Sequence, residues 1–431
     1  TINQNEVYVI TPDIFYTGDE TLNYSWTLIE KPATSNYFVS NVGTEIQEFS
    51  EEILGDYTFS LEISEDDGES ASDEITIKVV KEPIFLSGSL SEDLVLEDIY
   101  EDPDCPDYHV TGTYSVDAQL TINPGVIIEF EDNAGMNIRT DGSIIAEGTN
   151  VNGILFTGVQ QTAGFWKGIN IASIDPDNYL NYVTIEYGGK SGFDGANQKA
   201  NLTLNGGRID VLNTTLRFSG DYGLNVRKAD DQLNQFGGNL ITENKTPVRA
   251  NMKTYKYFDI TTNFSGNVND YIDSYLVGAI SENTFWSKLN VPYKIPGGVN
   301  VIDAPVQIEA GAEFLGQPDA GIRINPEGSL KAVGTASEPI RFVGEEDVEA
   351  YWRGLSFESN KLANELTFVE VSNAGEKGFD GGNIQANVIV EDAGRLKMTN
   401  TTLTKSGEFG LVLRDVESIL ETFSKVRNTY Y

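Results

Sequence analysis

Cysteine occurs once in this chain of 431 residues, at Cys105, and histidine once, at His109. A lone thiol makes no internal disulfide, so no disulfide framework holds the fold. One cysteine and one histidine also leave no material for a Ser/His/Asp triad, a Cys/His pair or a zinc site of the usual ligands. Basic residues are scarce: 29 Lys and Arg stand against 66 Asp and Glu, a net charge of −37. Such a surface repels phosphate backbones and anionic lipid, which argues against a nucleic-acid partner. Long apolar runs are missing, and no window reaches the length of about 18 residues that a membrane-spanning helix needs. The chain begins at Thr1 rather than Met, as a mature or trimmed form does. The missing targeting segment therefore says nothing about compartment.

What the chain has in quantity is glycine, 42 residues, and a pattern written twice. Gly125, Gly135, Gly142, Gly148, Gly158, Trp166, Gly168, Leu180, Gly192, Phe193, Asp194 and Gly195 form the first copy. Each recurs 186 positions later, as Gly311, Gly321, Gly328, Gly334, Gly344, Trp352, Gly354, Leu366, Gly378, Phe379, Asp380 and Gly381. The phase then slips by one, so that Asn213-Thr214-Thr215-Leu216 returns as Asn400-Thr401-Thr402-Leu403. Fixed-period self-similarity is the signature of a repeat architecture.

Residues 1–82 read as a small antiparallel β-sandwich. Glu6–Ile10, Leu22–Leu28, Tyr57–Ile63 and Asp73–Val80 alternate apolar and polar residues, as half-buried strands do. Trp26 sits mid-strand, where a sandwich core tryptophan sits. Tyr24-Ser25-Trp26, then Gly55-Asp56-Tyr57 through Ile63, then Asp67-Gly68 resembles a PKD (polycystic kidney disease) domain. The resemblance implies an Ig-like spacer or weak binding module on an extracellular protein. The join at 83–113 is crowded with acids. Asp102, Asp104 and Asp107 flank two prolines that forbid helix. The segment reads either as a solvated acidic cap or as a loop for a hard cation, with Ca2+ the ion such carboxylates would take. His109 reads as a surface or cap residue.

From about residue 114 short alternating strands are punctuated by glycine, without hairpin signals. That texture fits a parallel β-solenoid, whose coils share one continuous core. About 120 residues per copy, at about 20–25 per coil, gives roughly five coils, with the matched glycines as corners. Asn123-Pro124-Gly125 through Phe130, Gly142-Ser143 through Thr149, Ile154 through Gly158 and Trp166-Lys167-Gly168-Ile169 resemble the right-handed parallel β-helix family, as in surface proteins of Bacteroidota-type bacteria. The second copy departs at Ala310, where the proline is absent. The domain reading is a PKD/Ig-like sandwich at 1–82 and a β-helix at 83–431, with duplicated units at about 114–228 and 300–415 and further coils at 229–299. Glu417–Glu421 reads as a short covering helix, and the open end beyond it as a place for a partner or a continuing coil.

No catalytic residue is assigned from the sequence. Trp166 and Trp352 read either as platforms for sugar rings or as covers over coil corners. Phe193-Asp194 and Phe379-Asp380, with Lys190 and Lys377 nearby, read either as sugar or cation loops or as glycine-flanked turns. Asn213 and Asn400 read as a polar ladder, and Phe218, Tyr222 and Phe409 as core. Two equal loops on one solenoid favour binding over catalysis. The expected function is a non-catalytic surface or secreted protein, including a lipoprotein or accessory subunit of an outer-membrane assembly, on a Gram-negative bacterium. It would present a rigid face to a glycan or a protein partner. The alternative is a polysaccharide lyase or glycoside hydrolase of the β-helix type.

Overall fold

The computed structural model describes the chain except residues 20, 67, 101, 194–198, 380–381, 425–426 and 430–431, and the side chains of 427–429. The described residues are all-β, with a short 3-10 turn at Tyr255–Tyr257. Contacts divide the chain into two units, residues 1–85 with 99–109, and residues 86–98 with 110–431.

In the first unit the sheet order is Ile2–Asn3, Ser70–Val80, Gly55–Ser64, Asn23–Glu30. Its three long strands pair antiparallel. Tyr8–Ile10 and Gln47–Phe49 form a second pair. The period-two pattern places Tyr57, Phe59 and Leu61 in one core with Trp26, Phe49, Ile77 and Val79. The Trp26 indole N–H donates to the Thr44 carbonyl at 2.8 Å, so the buried ring keeps no unpaired donor.

The second unit is a parallel β-helix. Thr113–Val116, Gln119–Ile122 and Ile127–Phe130 make three sides of one coil. Each pairs in parallel with the matching strand of the next coil, Gly135–Ile138, Ser143–Glu147 and Ile154–Gly158. Alternate residues point inward, and Val116, Ile138, Ile171, Leu204 and Val226 stack fully buried along the axis. Coil length is uneven. Thr113 to Gly135 is a step of 22 residues, whereas Met136 to Ile169 and Ile169 to Leu202 are steps of 33. The longer coils carry added segments such as 159–168 and 187–193, which a uniform 20–25 residues per coil does not allow for.

Glycine is only part of the cornering. Gly168 and Gly354 do occupy the left-handed region, at φ of 96° and 105°. Gly142 and Gly328 do not. There a Cβ would overlap the carbonyl oxygens of Val116 and Ile302 in the coil before. The other corners are single left-handed residues that are not glycine: Tyr182 and Phe368, Tyr187 and Asn373, Asn213 and Asn400, Phe218 and Lys405. Such residues carry strain of about 1–2 kcal/mol each, held here by the coils on both sides. Buried asparagines staple the coils together. Asn178 accepts from Ile144 N and donates to the carbonyls of Ser173 and Arg208. Asn364 repeats the same contacts to Leu330 and Ser359.

The two sequence copies do not lie on the same faces. One sheet of fourteen strands runs the length of the helix. In the first copy it holds Gly135–Ile138, Ile169–Ile171, Ala200–Leu204 and Tyr222–Val226. Their sequence equivalents in the second copy, Ala320–Ile324, Gly354–Phe357, Ala386–Val390 and Phe409–Leu413, belong to a separate five-stranded sheet. The long sheet is continued instead by Glu313–Gly316, Ile340–Gly344 and Val369–Ser372. These match Ile127–Phe130, Ile154–Gly158 and Val183–Glu186, which sit in another sheet of the first copy. The second copy is therefore wound one side further round the coil. The joint between them, residues 229–297, is where the offset is introduced.

The reading of Glu417–Glu421 as a helix is corrected. Residues 416–417 form a turn and Ile419–Ser424 is a strand paired with Arg395–Thr399. Phe409 is 48% exposed rather than core, since no following coil covers its side among the described residues. Phe218 and Tyr222 are half-buried, and the Phe218 ring stacks on Tyr187 at 5.1 Å.

Candidate functional site

The matched aromatic residues are structural. Trp166 and Trp352 are fully buried, and their indole N–H groups donate to the Glu186 and Ser372 carbonyls at 2.7 and 2.8 Å. Trp166 stacks on Phe130 with ring centroids 3.9 Å apart. Neither ring has a free face for a sugar, which removes them as platforms. Phe193 and Phe379 are buried too, each lying where a side chain on Gly135 or Gly321 would sit. Asp194 and Asp380 lie outside the described residues. Lys190 pairs with Asp132, and Lys377 with Asp319 at 2.5 Å.

The acidic join is no cation site among the described residues. Asp107 is buried, and its Oδ1 accepts from the backbone N–H of Ile99 and Tyr100 at 2.7 and 3.2 Å. Asp102 accepts from Asp104 N and from the Cys105 thiol. The Asp104 amide and then the thiol hold the Asp102 carboxyl below the usual range. Asp104 pairs with Lys78 at 2.8 Å. Each carboxylate is turned to a different partner, and no group of three or more His, Cys, Asp or Glu among the described residues could hold a metal ion. Cys105 is buried, with burial pushing its thiol pKa up, so it is a poor nucleophile. His109 is buried against the Phe85 ring.

Chemistry gathers instead in the joint, on the outward side of the long sheet. Arg249 and Asp273 are register partners on adjacent strands, and Lys294 follows on the next. Their neighbours Val248, Ile272 and Tyr293 are fully buried, so strand alternation turns the three charged side chains outward. The Asp273 carboxylate accepts from the Tyr222 hydroxyl at 2.9 Å and lies 3.8 Å from Arg249 Nε. The Arg249 guanidinium sits 4.5 Å over the Tyr275 ring. Tyr275 donates to the Val226 carbonyl at 2.8 Å and accepts from Asn251 at 3.1 Å. Lys294 lies 3.4 Å over the Tyr271 ring and pairs with Glu345 at 2.5 Å.

Electrostatics fix the protonation of this face. Burial, then the Asp273 charge, raises the Tyr222 phenol well above its ordinary value. Burial pushes Tyr275 up to about 12. Both phenols are neutral donors at physiological pH and neither is a base. Burial disfavours the Lys294 charge, but Glu345 and Tyr271 outweigh it and the pKa is raised, so the ammonium persists. Asp273 and Glu345 are each tied to a cation, as is Asp221 to Lys245 at 3.3 Å. The hydroxyls and charges of this face hold one another by fixed hydrogen bonds and ion pairs.

No family model matches the chain, and no curated protein matches it. Among solved structures, it is similar to the Yersinia enterocolitica Family 28 exopolygalacturonase, at 10% identity over 99% of this chain and 94% of that one, with a TM-score of 0.22. A likeness at that score carries no weight for fold or activity. The parallel β-helix follows from the strand pairing of the chain itself.

Nothing in the joint is repeated, so repetition does not mark it. The usable signal was there: Arg249, Asp273 and Lys294 follow one another at steps of one coil, with Tyr271 and Tyr275 flanking Asp273. Reading it required the register. No helix among the described residues is long and apolar enough to cross a membrane.

Proposed function

We propose that this protein is a non-catalytic polysaccharide-binding β-helix of the surface or secreted fraction of a Gram-negative bacterium. Its solenoid is of the right-handed, internally duplicated kind, and its first unit is a PKD-type spacer. The observation that carries the reading is the row Arg249, Asp273, Lys294 with its three tyrosines. Adjacent strands lie about 4.8 Å apart, so the partly exposed Arg249 and Asp273 offer neighbouring polar contacts to a sugar chain, while the buried Lys294 supports the row through Glu345 and Tyr271. Half-buried tyrosines give an apolar surface with a polar tip, suited to pyranose rings. Binding rather than cleavage is favoured because the carboxylates on this face are already engaged.

The second reading is a polysaccharide lyase or glycoside hydrolase, favoured by one observation: Asp273 is 21% exposed beside Arg249 and could meet substrate. A glycan array followed by assays for reducing ends and unsaturated products separates the two. Binding without product is expected. Product released by the wild type and lost in Asp273→Asn would overturn the non-catalytic reading.

A further inference from the structure

The outward face of the joint does not stop at Lys294. Leu315 is its register partner on the next strand, and Val343, Ser372 and Thr404 carry the same row onward along the long sheet. These four floor a groove of about 430 Å³. Glu313, Arg341 and Glu370, two residues earlier on three of those strands, make one wall. Asp347 and Lys405 make the other.

The first copy carries the opposite arrangement. Glu129, Thr157, Glu186 and Arg217 stand where the floor residues stand, and Ile127, Leu155 and Thr184 where the charged wall stands. Arg217 reaches Glu186 at 2.7 Å, and Glu186 accepts from Thr157 at 3.0 Å, so an ion pair fills the middle of that face. Tyr187 and Phe218 stack at its corner, where the second copy has Asn373 and Lys405. Both arrangements lie over fully buried inner rows, Ile128, Phe156 and Ile185 in one copy and Phe314, Phe342 and Val371 in the other. Closing the coil therefore requires neither. In the second copy the middle has become small and apolar, and the charge has moved to the rim.

That rim is paired but not balanced. Arg341 serves two carboxylates, Glu370 at 3.0 Å and Glu313 at 3.6 Å. Lys405 is matched by Asp347, and Lys294 by Glu345. One negative charge remains on the Glu313–Glu370 wall, and Glu313 has the longer contact and a partly exposed side chain. An apolar floor with a few placed polar groups is the usual form of a small-molecule site, and this one favours a ligand with a positive charge. The net charge of −37 repels a polyanion in any case.

We infer that the groove takes a protonated amino-sugar residue, with its ring over Leu315 and Val343 and its ammonium toward Glu313. Because the groove continues the face of the joint, the inference rests on the polysaccharide reading and names the class of chain bound: one that carries amino groups rather than carboxylates.

The test is a calorimetric titration of the full chain with a linear glucosamine trimer, cellotriose, a galacturonate trimer and trilysine, at a mildly acidic pH where the sugar amine is protonated. The glucosamine trimer should bind at least tenfold more tightly than cellotriose, and the galacturonate trimer more weakly than either. Glu313→Gln should abolish the preference over cellotriose. Thr404→Arg places the first copy's residue in the floor and should weaken both sugars at least tenfold. Circular dichroism confirms that each variant is folded. Trilysine bound as tightly as the glucosamine trimer would mean attraction of any polycation and would overturn the inference. So would equal affinity for cellotriose, a preference that survives Glu313→Gln, or no trimer bound by the wild type. Polysaccharide binding on the glycan array without preference for amino sugars would overturn this inference alone, whereas no binding on the array would overturn the polysaccharide reading with it.

Discussion

The two copies of the repeat differ most where they face outward beneath their matched loops. In the first copy the outward positions are amides and a hydroxyl: Asn137, Asn170, Thr203, Asn205 and Asn225. In the second they are Arg323, Ser356, Ile389, Glu391 and Val412. The second set is mostly ion-paired or apolar. Arg323 meets Glu358 at 2.9 Å, Glu391 accepts from Ser356 at 2.6 Å and pairs with Arg414, and Ile389 packs with Phe379 and Val412. The first set is incomplete. Asn170 donates to Asn137, yet its own carbonyl oxygen, that of Asn205 and both amide atoms of Asn225 are buried without partners. Most inward positions stayed apolar and the matched corners kept their left-handed backbone through the duplication, while outward positions changed their chemistry.

Four substitutions probe that division, and their effects should fall in order. Trp166→Ala removes a fully buried ring from a position common to both copies, and should cost about 3–5 kcal/mol in denaturant unfolding. A near-neutral result would put Trp166 outside the core. Glu391→Ala strands the Ser356 hydroxyl and removes the Arg414 partner, costing about 2–3 kcal/mol. Its counterpart Asn205→Ala should cost less than about 1 kcal/mol, because the amide oxygen it deletes is unpaired. Equal costs would erase the contrast. Asn225→Val imports the second copy's residue and should stabilise by about 1 kcal/mol, read as a rise in Tm. Destabilisation would mean that the amide has a partner in solution.

The smallest effect concerns pH. Lys377 first, then Arg353, hold the Asp319 carboxyl below its usual range. A carboxylate with a depressed folded pKa contributes stability above its unfolded pKa, about 3.9, and loses it as pH falls through the folded value. Wild type should therefore exceed Asp319→Asn in Tm at neutral pH, with the gap closing below about pH 4. The matching position in the first copy is Asn133, which bonds Ser191. Asn133→Ala should show no such pH dependence.

Much of the fold could be read from residues. The alternation in Val126–Phe130 and Ile154–Gly158, and the mid-strand Trp26, announced strands and a core. The corners were harder. Left-handed residues such as Tyr182, Phe368 and Lys405 carry no turn signature, because stacking of the coils imposes their conformation. The one-side offset of the second copy was invisible too, since it depends on how the joint pairs Val248, Ile272, Tyr293 and Phe314 in register. The site suffered most. Repetition drew attention to Trp166, Trp352, Phe193 and Phe379, which serve the coil, and away from Arg249, Asp273 and Lys294, which occur once.

The central claim is that binding belongs to the unrepeated joint. It is tested most directly by the polysaccharide affinity of Arg249→Ala and Asp273→Asn beside that of Lys190→Ala and Lys377→Ala, all checked for unchanged fold. The account predicts at least a tenfold loss in the first pair and wild-type affinity in the second. Loss confined to the second pair would contradict it.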